Sequence, residues 1–599
     1  MSKFILSNNI NIVQQIVADS CSAGFEVSGK FNGQICYTSF YKLSCKNFNF
    51  YAIGNDFISV VGTFIYKGKH GQEALIAIYD DFSANINSIR DNVIGNCAFI
   101  IKKGSLLYVF GEYFGFYDIF YYYKNGLFII SHDLYDLYKG ITDLKINKLN
   151  MLEHLALGVN YCGETFFDDV YRLQDNETLI INTSTGSLEK SSLNVNWKNS
   201  GSMSYDECVS KISSSLKSIG KTFFDNFGTP ALSSTGGLDN RLNLATFLAI
   251  GARPDLYYGV GNSGATNTFS GDLKVNQEFE KSFGTKLNQV SWNNSTPIDK
   301  DWEELKNKYG FSSVCYGGAR DFFEAYEQIP NSTILFGYMG ELYRNLDVWE
   351  KRKFKPMSLD EYIEKYLISE FMHNGTKLFD EIADIKNHLY EKLLEVCKKW
   401  SINPSMISAN DDFLLNLERR RCSDVAILNL MNYHHNCSYI FAQHNVFQIL
   451  ANVDSVAKKQ YKFQLDLLKS IYPEVLSVPI FSHCRFQKYD SLNNTLSDYK
   501  SLYRILKSMI PNGYRKKLKN LLPVSILSVF NDKYLDNKKN LENIFDIESN
   551  EVIKHLFENF GLMEDVDYKA LVNGRLDRDV LKFAQELSII GNSFGFKVN

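Results

Sequence analysis

A chain of 599 residues is too long for one hydrophobic core and is expected to divide into two or more domains. Hydrophobic residues at 45% and charged residues at 22% make an ordinary globular balance, and a formal net charge of -4 offers no electrostatic case for nucleic acid or an anionic membrane surface. The 11 cysteines, scattered from Cys21 to Cys484 without a CxxC pair, point to reduced thiols in a cytoplasmic protein and away from a disulfide framework or zinc site. The opening Met1-Ser2-Lys3-Phe4-Ile5-Leu6 stops at Asn8-Asn9, too short an apolar stretch for a signal peptide. No apolar run approaches the ~18 residues needed to span a bilayer.

Residues 1–195 read as β-rich. Short apolar and aromatic runs at 95–101, 105–110, 119–123 and Leu127–Ser131 are separated by Lys-Gly and Asn-Gly, and Lys124-Asn125-Gly126 predicts a hairpin turn. The polar, glycine-containing stretch 194–202 is the candidate linker. Beyond it the period changes: Ser204 and Glu207 form a capping-box pattern, and Val209, Ile212, Leu216 and Ile219 recur at helical spacing. Strand and helix then alternate: strand 230–233, helix 241–250, strand 256–260, helix 272–283, strand Leu287–Trp292, helix 301–309, strand 332–336. Such alternation predicts a parallel sheet covered by helices, with ligands at the carboxyl ends of its strands. After about residue 355 the pattern is helical.

The segment Ala231-Leu232-Ser233-Ser234-Thr235-Gly236-Gly237-Leu238-Asp239-Asn240-Arg241 joins a predicted strand to a predicted helix. Two glycines let the backbone approach phosphate oxygens, hydroxyls add donors, and the helix N-terminus adds positive potential. Asp239 supplies a hard oxygen suited to Mg2+. The competing reading of the short motif is a strand–helix turn that needs flexible glycines.

This loop resembles the S-G-G-x-D-S pyrophosphate loop of the asparagine synthetase family and its ATP-pyrophosphatase relatives, with Thr235 at the first serine and Asn240 at the last. Leu335-Phe336-Gly337-Tyr338-Met339-Gly340-Glu341 is similar to that family's G-x-G-x-D loop; Met339 replaces a glycine and Glu341 the aspartate. Tyr338 matches the tyrosine of β-lactam and carbapenam synthetases. Alone, this second segment reads as a strand end with a turn. Ser438-Tyr439-Ile440-Phe441-Ala442 resembles the R-x-P-F-L-D stretch without its proline and aspartate. Gln460-Tyr461-Lys462-Phe463 leads into 465–473 as the family's catalytic-lysine helix does, with Lys458 and Lys459 close enough to leave the register open.

Residues 96–137, with Gly111-Glu112-Tyr113-Phe114-Gly115-Phe116 and Phe120-Tyr121-Tyr122, resemble the N-terminal-nucleophile glutaminase domain of these synthetases. Its arginine is missing, Ser2 stands where a processed N-terminal cysteine is required, and Lys3-Phe4 replaces the following Gly-Ile, so glutamine hydrolysis is not expected. The resemblance therefore implies an α/β protein: a glutaminase-like β-sandwich over 1–195, inactive as a glutaminase, a parallel-sheet ATP-pyrophosphatase domain over 204–530, and a helical extension over 531–599. No motif is matched over 481–599.

The same resemblance implies ATP and Mg2+ as cofactors. ATP would lie on Leu232, Ser233, Thr235, Gly236, Gly237, Asp239, Asn240, Val260 and Gly337, with Asp239 and Glu341 on the metal. Lys462 would stabilise developing charge, and Tyr338 polarised by Glu418 would deprotonate an amine, Glu418 being otherwise a surface helix charge. A small-molecule or peptide carboxylate is the implied substrate, amidated by ammonia or a substrate amine, and the chain is expected to be cytoplasmic, without nucleic-acid or membrane partners and compatible with a homodimer. The alternative is a catalytically silent homologue serving as a binding or scaffold subunit, in view of Met339, Glu341 and Ala442.

Overall fold

The computed structural model describes residues 2–42, 48–82, 86–157, 159–193, 203–261, 266–292, 326–327, 329–330, 333–344, 356–368, 382–423, 425–458, 461–482 and 485–487. The candidate linker 194–202, the expected helix 301–309 and the expected extension 531–599 lie outside the described residues.

The N-terminal part runs β1 (Ser2–Ser7), α1 (Ile10–Ser22), β2 (Phe25–Asn32), β3 (Cys36–Lys42), β4 (Phe50–Ile53), β5 (Asp56–Tyr66), α2 (Gly71–Asp81), α3 (Ile86–Asn92) and β6 (Val93–Lys103). It continues through β7 (Leu106–Gly111), β8 (Phe120–Lys124), β9 (Leu127–Ser131), α4 (Leu134–Gly140), α5 (Lys148–Leu157), β10 (Val170–Arg172), β11 (Glu177–Asn182) and β12 (Leu188–Ser192). Two six-stranded sheets result, ordered β10-β8-β9-β1-β3-β2 and β12-β11-β7-β6-β5-β4, with every recorded pairing in them antiparallel.

Alternation along the strands sets the layers. Phe4, Leu6 and Tyr37 of the first sheet meet Phe57, Val61, Ile100 and Val109 of the second in one core. Ile58, Val60, Phe99 and Phe110 face the other way, onto Ala74, Leu75 and Ile78 of α2. Ile5, Phe40 and Ile129 face α1 and α4. The arrangement is a helix–sheet–sheet–helix sandwich. Its β8–β9 turn carries positive φ at both Asn125 (52°) and Gly126 (78°), the geometry that favoured the Asn-Gly reading.

The second part begins with α6 (Tyr205–Phe227), whose predicted capping box is formed: Ser204 Oγ accepts the N–H of Glu207 at 3.3 Å and Glu207 Oε2 accepts that of Ser204 at 2.8 Å. The buried stripe is Cys208, Ile212, Leu216, Ile219 and Phe223, with Val209 only partly covered. Then come β13 (Ala231–Ser233), α7 (Leu238–Ala249), β14 (Asp255–Gly261), α8 (Thr266–Phe283), β15 (Leu287–Trp292), β16 (Thr333–Leu335) and a 3-10 turn Gly340–Tyr343. Helices α9 (Ile382–Lys399), α10 (Ala409–Ser423) and α11 (Val425–Met431), strand β17 (Asn436–Ser438), and helices α12 (His444–Leu450) and α13 (Lys462–Ile471) follow. The five strands form one parallel sheet, β15-β14-β13-β16-β17. Ala231, Leu232, Ile334, Leu335 and Cys437 are fully buried in it, as expected when helices cover both faces.

A polar seam joins the two parts. Thr63 Oγ1 donates to Asn432 Oδ1 and accepts the N–H of Cys437, both at 2.8 Å. Gly95 N–H donates to Gln443 Oε1 at 2.8 Å, and Asn96 Oδ1 accepts Ser438 Oγ (2.8 Å) and the N–H of Tyr439 (2.9 Å). Further along, Asp118 binds Arg172 (2.7 Å) and Asn429 (2.6 Å), while Asp175 binds Lys399 at 2.5 Å. All these groups are buried or nearly so, which makes their mutual pairing obligatory.

Candidate active site

The sheet order puts a topological switch between β13 and β16: the chain runs from β13 to β14 and β15 on one side, then returns to place β16 on the other. Clefts at such points, outside the carboxyl ends of the strands, are where open α/β sheets bind ligands. Both sequence-predicted loops emerge there, 234–237 after β13 and 336–340 after β16.

They interlock through glycines. Gly236 has φ 72°, and a Cβ on it would lie 2.7 Å from Val275 Cγ1 on α8. A Cβ on Gly337 would meet Asn240 Oδ1 at 2.3 Å, and one on Gly340 would meet Asp239 Cβ at 2.7 Å. Glycine is required at 337 and 340 because the first turn of α7 fills the space a side chain would take. Met339 adopts the left-handed region (φ 68°) with its side chain fully buried.

Gly237 caps α7 without a side-chain hydrogen bond, so the first N–H groups of the helix have no partner in the cap residue's side chain. Around it, Asn240 Nδ2 donates to exposed Thr235 Oγ1 at 2.9 Å, and Ser233 Oγ lies 2.9 Å from Tyr326 Oη. Ser234 donates to Asn276 Oδ1 at 2.5 Å, pinning the loop to α8. Leu232 is buried within β13, and Val260 lies at the carboxyl end of β14, paired with Ser291. Behind the loop, fully buried Arg241 donates to the carbonyls of Val475 (2.7 Å), Val478 (2.5 Å), Pro479 (3.2 Å) and Gly236 (3.3 Å). Arg241 holds the loop's shape from inside.

Asp239 is held from two sides: Gln464 Nε2 donates to Oδ1 at 2.5 Å and Arg344 donates to Oδ2 at 3.1 Å. Neither partner was legible in the sequence, although Arg344 stands three residues past Glu341 and Gln464 two past Lys462. Among the described residues no three His, Cys, Asp or Glu side chains cluster as a metal site. Asp239 and Glu341 stand on adjoining segments, two hard-oxygen donors of the kind Mg2+ uses when phosphates complete its shell. The donor chemistry fits, with both Asp239 oxygens also accepting hydrogen bonds from Gln464 and Arg344.

The structure does not gather the three catalytic candidates together. Tyr338 sits at the switch point, its ring 5.9 Å from Phe336 and 5.7 Å from Tyr439. Glu418 is fully buried, not a surface charge; its oxygens accept from Arg421 (2.5 Å) and Lys399 (3.0 Å), which hold its carboxyl well below the usual range. It belongs to the seam beside Asp175, and its hydrogen bonds do not go to Tyr338. Lys462 opens α13 with its ammonium 2.8 Å from Asp466 Oδ2 and 4.0 Å from the Tyr205 ring centre, largely exposed. The same helix reaches the loop through Gln464 instead.

In the sandwich, Ser2 begins β1, and buried Lys3 pairs with Asp136 at 3.2 Å against the rings of Phe25 and Phe40. Glu112 accepts the N–H groups of Phe114 (2.6 Å) and Phe116 (2.8 Å), yet burial pushes its carboxyl up to about 7. Asn96 links it, at 3.4 Å, to the Ser438–Tyr439 end of the seam. No helix among the described residues is long and apolar enough to cross a membrane.

No protein-family model matches the chain, and no curated protein matches it. Similar solved structures include glutamine phosphoribosylpyrophosphate amidotransferase from B. subtilis complexed with ADP and GMP, at 10% identity over 48% of this chain and 66% of that one, with a TM-score of 0.22. Another is an allosteric regulatory enzyme of purine biosynthesis, at 11% identity over 48% of this chain and 65% of that one, TM-score 0.22. The chain thus spans just under two thirds of each, and its likeness to asparagine synthetases rests on the sequence motifs.

Proposed function

We propose that the chain is an ATP-dependent amide-bond-forming ligase that adenylates a carboxylate and passes the acyl group to ammonia or a substrate amine. The observation that carries this reading is the pair of interlocked glycine loops at the switch point, with an uncapped α7 N-terminus, Thr235 and Asn240 on one side and Asp239 between them. Backbone N–H groups and hydroxyls there suit the β,γ-phosphates, which makes pyrophosphate the leaving group. The acid's oxygen bonds to the α-phosphorus as the bond to the β-phosphate breaks; the amine nitrogen then bonds to the acyl carbon, loses a proton, and AMP leaves.

Mg2+, held by Asp239 and Glu341, would supply charge neutralisation for the phosphates. The chain's own contribution is positioning: Gly236, Gly237 and Gly337 shape the phosphate cradle, Leu232 and Val260 border it, and Tyr338 stands beside the acceptor side. Lys462 can serve the leaving pyrophosphate only by leaving Asp466. Glu418 is assigned to the seam. The test is α-labelled ATP supplied with candidate carboxylic acids. AMP and pyrophosphate are expected, with turnover abolished in a folded Asp239→Asn variant; ADP as the product overturns the mechanism. A second reading, a silent homologue that binds a nucleotide without turnover, is favoured by the engagement of both Asp239 oxygens, and it predicts ATP binding with no product from any acid.

A further inference from the structure

Beside the phosphate loop lies a second feature, separated from it by Arg344. A small cleft, partly open to solvent, runs between the Gly340–Tyr343 turn, the start of α10 and the segment that follows α12. Leu342, Phe413 and neighbouring small side chains give it apolar walls, while Arg344, Asn410, Asp412 and Lys458 bring polar groups into it.

Lys458 is the unusual member. It is 3% exposed, and among the described residues its ammonium has one hydrogen bond, to Leu450 O at 3.3 Å, with the Phe413 ring centre 3.8 Å away. An ammonium has three donors, and burying one with a single long contact is costly. Burial pulls Lys458 down to about 7, although Asp454 nearby favours its charge. Asp412 does not supply the missing anion: its carboxyl accepts the Tyr362 hydroxyl at 2.9 Å, and burial pushes it up to about 8, toward the neutral form. The cleft therefore presents Lys458, a guanidinium and the Asp412 carboxyl to whatever enters, with apolar walls behind them.

We propose that this cleft seats the carboxylate substrate, a small acid with a short apolar stem whose oxygens are held by Arg344 and Lys458. The assignment rests on the nucleotide reading above and names the substrate site of that reaction. A carboxylate here competes with Asp239 for Arg344, the pair being 3.1 Å apart and partly solvated. Acid binding thereby releases Asp239 toward the metal-nucleotide, so each ligand strengthens the other.

The test uses the full chain and isothermal titration with acetate, propionate, butyrate and inorganic phosphate, first without nucleotide. Affinity is expected to rise from acetate to butyrate and to exceed that for phosphate. Lys458→Met, which keeps the stem and removes the buried charge, should weaken butyrate roughly tenfold to a hundredfold, as should Arg344→Gln at a partly exposed position. Lys469→Met, on an exposed side chain, should change nothing. Butyrate bound equally by the wild type and both variants, or phosphate bound as tightly as butyrate, overturns the assignment. Acid binding that depends on Lys458 in a protein that binds no ATP leaves the cleft standing and removes the nucleotide reading.

Discussion

Replacing Gly236 by alanine measures how firmly the phosphate loop is clamped. At φ 72° an L side chain costs about 1–2 kcal/mol of backbone strain. The new methyl would also lie 2.7 Å from Val275 Cγ1 and 2.9 Å from its Cβ. Valine is stiff at χ1, so it cannot swing away, and overpacking adds about 1–3 kcal/mol. Gly236→Ala should therefore lose about 2–5 kcal/mol. Val275→Ala alone removes two buried methyl groups and leaves a cavity, a loss of about 2–3 kcal/mol. In the double variant the Gly236→Ala methyl fills the vacated space. Its loss should fall short of the sum by about 1–2 kcal/mol, while the dihedral strain persists. Urea unfolding of all four proteins gives the coupling, and titration with Mg-ATP in parallel separates stability from loop shape: Val275→Ala should cost less in the Gly236→Ala background than in the wild type, without recovering nucleotide affinity. Additivity within about 0.3 kcal/mol, or a Gly236→Ala protein as stable as wild type, would refute the clamp.

Two further outcomes are expected. Because the Glu112 carboxyl is raised from 4.5 to about 7 in the fold, the native state holds the extra proton; stability is fullest below pH 4.5 and is lost as pH rises to about 7. The Glu112→Gln variant, compared with wild type by urea unfolding across that window, should show a slope shallower by a total of about 3 kcal/mol; identical slopes would mean that Glu112 is ionised throughout. With glutamine as sole nitrogen donor the protein should release no glutamate, since Ser2 and buried Lys3 stand at the start of β1. Glutamate production that vanishes in Ser2→Ala would contradict this.

Where local chemistry decides structure, the sequence was readable. The Ser204–Glu207 capping box, the Asn125-Gly126 turn and the strand–helix alternation from 231 to 292 each depend on residues within a few positions of one another. The helical stripe of α6 also takes in Cys208, fully buried beside the partly covered Val209. What failed was long-range charge pairing. Glu418 reads as a partner of Tyr338 or else a surface helix charge, yet Glu418 and Arg421 are buried against Asp175, and Lys399 completes the cluster. Arg344 and Gln464 converge on Asp239 from 105 and 225 residues away, and nothing in the spacing of either announces it. Lys462 matched its motif by position, while its side chain is steered by Asp466 one turn on and by Tyr205 at the far end of the domain's sequence.

The seam between sandwich and parallel sheet also sets a timetable for synthesis. Thr63 and Asn432 are separated by 369 residues, and Asn96 and Ser438 by 342. At roughly 5–20 residues per second, the sandwich, complete at Ser192, waits on the order of 10–50 s on the ribosome before the groups that will cap Thr63, Gly95, Asn96 and Asp118 exist. During that interval these donors and acceptors must stay hydrated, and the rings of Tyr113, Phe114 and Phe116, which later pack against His444, Phe447 and Tyr439, lack their cover. A nascent chain stalled between residues 200 and 430 therefore presents a wet, aromatic-edged face, a natural landing place for a holdase chaperone, and release of that face coincides with the arrival of β17.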